Sequence, residues 1–361
     1  MTMADAADVP AVPGQAPSQA DAPAPRRAAR ARREGPTLAD VAELAGVSRA
    51  IASRALSATP KPISADKRAR VIRAADSLGF RPNLLARGLT LQTVNLVAIL
   101  VNHIHDLSDL DLFDLLLKQL QAIGKQVIFI RTGDGDRIET FLRDGVAYHV
   151  DAALVFSDFA DAATVRRMFR NHAVLMLNGR HEAGVPSVSL DEAPGIAAAV
   201  ADAAGKGART ATLITGRSQS LVEQARIKAY RDAFAANGIA LLAELGGDYS
   251  DYSYASGRTL AGSIDAERSD AVFCTSDAMA MGVLDVWRRF FPDHRPVKFR
   301  LYGFDNISLT QLDAYPISSI GADRAAYVAT IVALLARPGG IAQDGEQVRI
   351  PTRFIARSSS A

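Results

Sequence analysis

The chain has 361 residues, 48% hydrophobic and 22% charged, an ordinary globular composition with room for two or three domains. The formal net charge is +2, and no apolar run approaches the ~20 residues of a membrane span, so an integral helical membrane protein is excluded. A single cysteine, Cys274 in 271-AVFCTSD-277, excludes an internal disulfide and reads as a small core residue in a reducing compartment.

Residues 1–25 are rich in Ala, Pro and Asp, lack Lys and Arg, and have no long apolar core. They read as a disordered tail rather than a secretory signal, so a cytoplasmic protein is expected. The basic run 26-RRAARARR-33 fits either a solvated tail or a flexible arm that adds phosphate contacts. Charge is unevenly spread: residues 26–90 hold 14 Lys or Arg against 5 Asp or Glu, so the remainder is net acidic. A basic segment on an acidic body suggests that the first binds a polyanion and the second something else.

Residues 37–80 predict three short helices. Thr37 with Asp40 forms a capping box for the first, and Leu38, Val41, Ala42 and Ala45 line one face. Gly46 supplies a turn, and Ser48 caps a second helix that runs to Ala55 or Leu56. A third runs from about Ser64 to Leu78, with Gly79 and Pro82 as stop signals. Two short helices around a tight turn form a helix-turn-helix, whose second member can enter the DNA major groove. There Arg49 starts the helix, and Ala50, Ser53 and Arg54 lie near one face. Arg pairs with guanine or phosphate and Ser bonds either; Thr37 and Ser48 suit phosphate.

From Val94 onward β-rich runs alternate with helical ones. Strands are expected at 94–101, 126–130, 152–156, 173–177, 187–190, 210–215, 271–275 and 297–304. Helices such as 110–123, 192–204, 221–236 and 277–290 fill most gaps. This rhythm predicts parallel doubly wound sheets in two α/β subdomains. Ligands bind such folds beyond the carboxyl ends of strands. Those ends carry Asn102, His103, His105, Asp106, Arg131, Ser157, Asp158, Asn178, Arg180, Asp277, Asp305 and Asn306. Their mixed polarity suits a polyol or similar small molecule. His103, His105, Asp106, Asp109 and Asp111 match no standard zinc spacing, so no metal site is expected. The run 133-GDGDR-137 lacks the third glycine of a dinucleotide loop, and the six histidines mark no catalytic set. No cofactor and no enzymatic activity are expected.

The run 37-TLADVAELAGVSRAIASRAL-56, followed by 64-SADKRARVIRAADSLGFRPNLLARGL-89, resembles the headpiece of the LacI–GalR family of bacterial transcription regulators. Downstream, 186-PSVSLD-191, 226-RIKAY-230, 274-CTSDAMAMG-282, 301-LYGFDN-306, 316-PISSI-320 and 350-IPTRFIARSSS-360 stand in family order. The resemblance implies a three-helix headpiece and hinge helix, then a two-lobed type I α/β effector body like that of periplasmic binding proteins. On this reading the tail covers 1–34, the headpiece 35–82, the hinge 83–92 and the body 93–361. The first lobe comprises 93–191 plus 318–337, and the second 192–317 plus 338–361. Implied partners are a near-palindromic operator, a second copy of the chain and a small-molecule effector, with a sugar or sugar acid favoured. Implied DNA contacts come from Thr37, Leu38, Ser48, Arg49, Ala50, Ser53 and Arg54. Asn83, Ala86 and Arg87 match hinge contacts, and Leu89 matches the leucine wedged into the minor groove. Implied effector contacts draw on His105, Asp106, Arg131, Ser157, Asn178, Arg226, Tyr252, Asp277 and Asp305.

Several positions depart from the family pattern. Ile51-Ala52 replaces Thr-Val, Gly88 falls inside the hinge, Ala229 replaces a glycine, and Ser276 and Asn306 replace Asn and Asp. The first strand exits into 101-VNHIHDLSDLDLF-113 in place of Pro-Asp-Ile. The competing reading of the body alone is a periplasmic-type sugar-binding protein without DNA function.

Overall fold

A computed structural model describes residues 35–57, 62–81, 94–102, 104, 107–133, 149–158, 160–169, 173–177, 179–180, 182–247, 250–290, 299–337, 341 and 345–361. The tail, the basic run and the hinge residues Asn83, Ala86, Arg87 and Leu89 lie outside these, as do His103, His105, Asp106 and Asn178. The chain divides into two compact units, with the boundary between Asn83 and Leu84.

The first unit holds helices α1 (Leu38–Leu44), α2 (Arg49–Ala55) and α3 (Ala65–Ser77). Asp40 Oδ2 accepts the Thr37 amide at 2.6 Å and Thr37 Oγ1 accepts the Asp40 amide at 3.4 Å, completing the capping box. Gly46, at φ +62, ends α1 and lets the Val47 amide reach back to Ala42 O at 3.0 Å. Ser48 Oγ then accepts the Ile51 amide at 3.3 Å to open α2. Gly79, at φ +64, closes α3 in the same way, with Phe80 N–H on Ala75 O. The core is built from small side chains: Val41, Ala42, Ala45, Ala52, Ala55, Val71, Ala74 and Ala75. A seven-residue helix has little stability alone, so caps and this close packing hold α1 and α2.

The second unit carries eleven described strands. Five lie in the first part of the chain: β1 (Leu96–Val101), β2 (Gln126–Arg131), β3 (Ala152–Val155), β4 (Val174–Met176) and β5 (Ser187–Asp191). The others are β6 (Thr210–Ile214), β7 (Ala240–Leu245), β8 (Ala271–Cys274), β9 (Arg300–Phe304), β10 (Ser318–Ala322) and β11 (Gln347–Ile355). Between them run α4 (Leu107–Ala122), α5 (Ala162–Phe169), α6 (Ala193–Gly205), α7 (Leu221–Ala236), α8 (Tyr254–Ala261), α9 (Asp277–Phe290) and α10 (Arg324–Leu335). The strand order is β2-β1-β3-β4-β5-β11-β10-β9-β8-β6-β7, parallel throughout except β10 against β11. Cys274 is buried in β8, as expected.

The two expected lobes are present as half-sheets joined through β11. Gln347–Pro351 pairs parallel with β5, and Thr352–Ile355 pairs antiparallel with β10. Pro351 sits where the strand leaves one half-sheet for the other, a place that tolerates its missing N–H. Each half-sheet has a core on both faces. The first packs Leu116, Leu120, Val328 and Ile331 of α4 and α10 on one side and Val165, Met168 and Phe169 of α5 on the other. The second packs α6 and α7 on one face and α8 and α9 on the other. The lobe boundaries differ from expectation at two places. Strand β10 was expected in the first lobe but pairs with β9 of the second, and Gln347–Pro351 joins the first rather than the second. The cause is a crossover after β10, so that only α10 from 318–337 returns to the first lobe's core.

Helices α8 and α9 touch backbone to backbone. A Cβ on Gly257 would lie 2.1 Å from Met279 O, and one on Gly282 would lie 2.2 Å from Tyr254 O. This contact fixes the start of α9, where Asp277 is fully buried. Asp277 Oδ1 accepts the Ser319 hydroxyl at 2.6 Å and Oδ2 accepts the Ile307 amide at 2.9 Å, tying α9 to β10 and to the turn after β9. Burial outweighs these bonds and pushes its carboxyl up to about 7. The folded value then exceeds the unfolded one, so the native state binds an extra proton between them. The resulting stabilisation is complete below about pH 4 and is lost as pH rises through about 7. Asp277→Asn removes that titration. The drop in Tm between about pH 5 and about pH 8 should be smaller in the variant than in the parent; an equal drop would mean that Asp277 ionises normally.

Candidate functional site

In the first unit Ser48, Arg49, Ala50, Ser53 and Arg54 are all exposed, while Ala52 and Ala55 on the opposite side of α2 are buried. One short helix therefore buries an alanine face and presents hydroxyls and two guanidiniums on the other. Thr37 and Leu38 are half-buried, because Thr37 is spent on the cap and Leu38 packs on the core rim. The replacement of Val by Ala52 leaves that core closed, with Ala52 at 0% exposure.

In the second unit a cavity of about 530 Å³ opens between the half-sheets. A smaller one of about 180 Å³ adjoins it, and the two share Ser108, Val222, Arg226 and Asp305. Apolar walls come from Phe156, Leu177, Val222, Phe304 and Tyr327, with acidic and arginine side chains between them. An apolar cleft with a few placed polar groups is the usual form of a small-ligand site. The expected strand-end position holds for Phe156, Leu177, Asp191, Phe304 and Asp305, each at or just past the carboxyl end of a strand.

Arg226 is the centre of this cleft. Its Nε and Nη2 form a fork with Glu192, at 2.9 and 2.6 Å, and Nη1 donates to Thr275 O at 2.8 Å. The guanidinium lies 3.8 Å from the centre of the Phe304 ring. Glu223, fully buried, stands 3.6 Å from Nη1. Glu223 Oε1 accepts the Gly216 amide at 2.5 Å and the Thr275 hydroxyl at 2.6 Å, whereas Oε2 is buried with no hydrogen bond. Burial pushes the Glu223 carboxyl up. For Arg226 burial opposes the charge, but Glu192 and then Glu223 hold it firmly protonated.

Asp305 and Tyr252 carry backbone strain at the same place. Asp305 has φ +100 and Tyr252 φ +64, and both line the smaller cavity. Non-glycine residues in this region cost about 1–3 kcal/mol and persist at ligand clamps and active sites. Asp305 O accepts Arg324 Nη2 at 2.8 Å, and the Asp305 amide donates to Ile320 O at 2.7 Å. The Tyr252 ring packs on Gly216, where any Cβ would fall 1.9 Å from Cε1. Across the cleft Asp111 of α4 accepts the Ser308 amide at 2.7 Å and faces Arg324 Nη1 at 3.5 Å, joining the two lobes.

Three predicted effector residues lie elsewhere. Asp277 lines neither cavity, because its carboxylate is consumed by Ser319 and Ile307. Ser157 is fully buried, sharing a hydrogen bond with Thr132 Oγ1 and donating to Asn102 Oδ1, both at 2.7 Å. Asn102 in turn donates to Asp158 Oδ2 at 3.1 Å, so these strand ends are knitted to each other. Arg131 is exposed at the end of β2 and lines neither cavity. Asn306 is tied to Arg357 at 2.6 Å. Conversely, Glu192, Asp109, Asp191, Arg324 and Arg349 line the larger cavity without having been predicted. Glu192 directly follows the motif 186-PSVSLD-191, which is the one local signal that pointed near it. Among the described residues no group of three or more His, Cys, Asp or Glu could hold a metal ion, and no helix is long and apolar enough to cross a membrane.

Comparison with known proteins places both units. Residues 37–83 match the family model of bacterial regulatory proteins, lacI family, and residues 200–360 match the periplasmic binding protein-like domain. Among curated relatives, the HTH-type transcriptional regulator AscG of Escherichia coli is 27% identical over 79% of this chain and 86% of its own length. GalR of the same organism is 28% identical over 76% and 81%, respectively. Among solved structures, the Lac repressor dimer bound to operator and the anti-inducer ONPF superposes with a TM-score of 0.77 at 20% identity. That match covers 91% of this chain and 99% of the repressor's. A complex of the transcriptional regulator CelR with cellobiose gives 0.60 at 22% identity over 90% and 99%. The headpiece match over residues 37–83 overturns the reading of a sugar-binding body without DNA function. The chain therefore belongs to the lacI family of bacterial regulatory proteins, non-enzymatic DNA-binding transcriptional regulators with a periplasmic-binding-protein-like effector domain.

Proposed function

We propose that this regulator is a cytoplasmic repressor that binds a near-palindromic operator as a homodimer and is controlled by a small polyol effector, a sugar or sugar acid. The observation that carries the reading is the pairing of an exposed, hydroxyl- and guanidinium-bearing helix in one unit with a polar-studded apolar cleft in the other. Two-fold symmetry in the operator would mirror two-fold symmetry in the protein. In support, the structurally similar Lac repressor was solved as a dimer on operator, and CelR with cellobiose.

On this reading Arg49, Ala50, Ser53 and Arg54 meet base edges, while Thr37, Leu38 and Ser48 position the headpiece on the backbone. Asn83, Ala86 and Arg87 contact the hinge site, and Leu89 parts a central base step. The effector meets Arg226, Asp305 and Tyr252, which gather in the cleft; His105, Asp106 and Asn178 complete the proposed set. Control is a matter of linkage. An effector that prefers one arrangement of the lobes shifts operator affinity only by its differential affinity for the two arrangements.

Duplexes cut from the protein's own promoter region test the first half. Arg54→Ala should weaken specific binding about 10- to 100-fold, the worth of one good base contact. Leu89→Ala should weaken it by at least about tenfold while ligand binding stays near normal. Fluorescence anisotropy at several salt concentrations reads both, and equal affinity in parent and variants would remove these residues from the interface. For the second half, Arg226→Ala should abolish the effector response. It should also lower Tm, since Glu192 and Glu223 lose their counter-charge at a cost of about 3–5 kcal/mol. Operator binding measured well below the transition should persist. A full effector response in this variant would show that Arg226 is no anchor.

A further inference from the structure

Resting on the reading of the cleft as an effector site, we propose a narrower class than sugars and sugar acids together: the site admits uncharged or ammonium-bearing compounds and rejects carboxylates and phosphates. The argument is one of charge. Among the described residues around the larger cavity, the carboxylates are Asp109, Asp191, Glu192 and Asp305 and the guanidiniums are Arg226, Arg324 and Arg349. A second rank of acid stands behind them: Glu223 lies 3.6 Å from Arg226, and Asp111 lies 3.5 Å from Arg324.

The two inner guanidiniums are already committed. Arg226 spends its Nε–Nη2 edge on Glu192 and an Nη1 hydrogen on Thr275 O, and the Phe304 ring covers one of its faces. Arg324 donates to Asp305 O from Nη2 and faces Asp111 from Nη1. The third, Arg349, is exposed on β11, where solvent and salt screen it. An anion entering the cleft would have to displace Glu192 from a bidentate fork, leaving that carboxylate buried without a partner. It would also draw the guanidinium away from the buried Glu223, for which Arg226, 3.6 Å away, is the counter-charge. Desolvated like charges are strongly disfavoured. A hydroxyl or ammonium donor meets the opposite situation, because ionised carboxylates only accept. Specificity of this kind arises from what the site repels as much as from what it grips.

The test uses the full-length protein and matched hexose sets built on glucose, galactose and mannose. Each set comprises the neutral hexose, its 2-amino-2-deoxy form, its aldonate and its 6-phosphate. Thermal shift followed by calorimetry ranks the members of each set. The tightest ligand should be a neutral or amino member, with its acidic counterparts at least about tenfold weaker. An aldonate or phosphate as the tightest ligand would overturn this inference while leaving the effector site intact. Silence across all sets would overturn the sugar-binding reading and this inference together. The charge argument has a second check in Glu192→Gln, which releases the fork on Arg226. The preference for neutral over acidic members should narrow by at least about fivefold. Asp305→Asn, which leaves the fork untouched, should move the ratio in the same direction if the first variant folds poorly. An unchanged ratio in the folded variants would show that these carboxylates do not set the selectivity.

Discussion

The fork between Arg226 and Glu192 is the constraint on which the body of this protein depends. Glu192 stands at the crossover from the first half-sheet to the second, immediately after β5, and Arg226 projects from the second turn of α7. Both side chains are largely out of water, so each alone would be costly to bury. Together they satisfy one another through two parallel bonds, and Phe304 shields the guanidinium from solvent. The geometry brings three elements to a common point: the α6 start, α7 and the end of β8, where Thr275 O takes a third bond. The cleft floor is thereby fixed before any ligand arrives, which is the condition for a site to discriminate by charge rather than adapt to it.

Much of this architecture was legible in the chain because its signals are local. The capping box at Thr37, the glycines at 46 and 79 and the Ser48 cap act over three or four residues, and each forms as predicted. The buried parallel strands β1, β3 and β8 are continuous apolar runs that the sequence displays openly. Strands β7, β10 and β11 escaped: Ala240–Leu245 is a run of helix formers, and the other two lack a continuous apolar run. Ser318–Ala322 is short, with serine or glycine at three of its five positions, and its burial is supplied by neighbours rather than by its own apolarity. Gln347–Ile355 alternates exposed and partly buried positions and divides its pairing between two half-sheets. Alternation of that kind does not say which half-sheet each half of the strand joins, and the lobe boundaries were misplaced with it.

The site was legible in part for a related reason. The rule that ligands sit past strand ends locates a level in the fold, not a direction in which side chains point. Asp305 stands at that level and borders the cleft, as do Arg226 and Tyr252, which the family resemblance rather than the strand-end rule pointed to. Asp277 and Ser157 stand there too, but their polar atoms are spent on the turns that hold the strand ends together. A buried acid that organises backbone and one that grips a ligand look alike in sequence, since both must be Asp at the end of an apolar run. Glu192, Arg324 and Arg349 were missed because they come from crossovers and from β11, segments whose place in the cleft is set by long-range pairing.

The cleft's strained residues connect this organisation to switching. Asp305 and Tyr252 each hold a left-handed backbone that ordinary packing would relax, and they belong to separate segments meeting at the smaller cavity. Asp305 is kept there by Arg324, and Arg324 also faces Asp111 of the first lobe. A single arginine at the second crossover thus links the strained ligand-side aspartate to a contact between lobes. The Asp305 carbonyl and the Asp111 carboxylate draw on the same side chain, so neither can move without altering the surroundings of the other. Coupling of that kind is what a regulator requires, because an effector acts only through the difference it makes between two arrangements of the lobes.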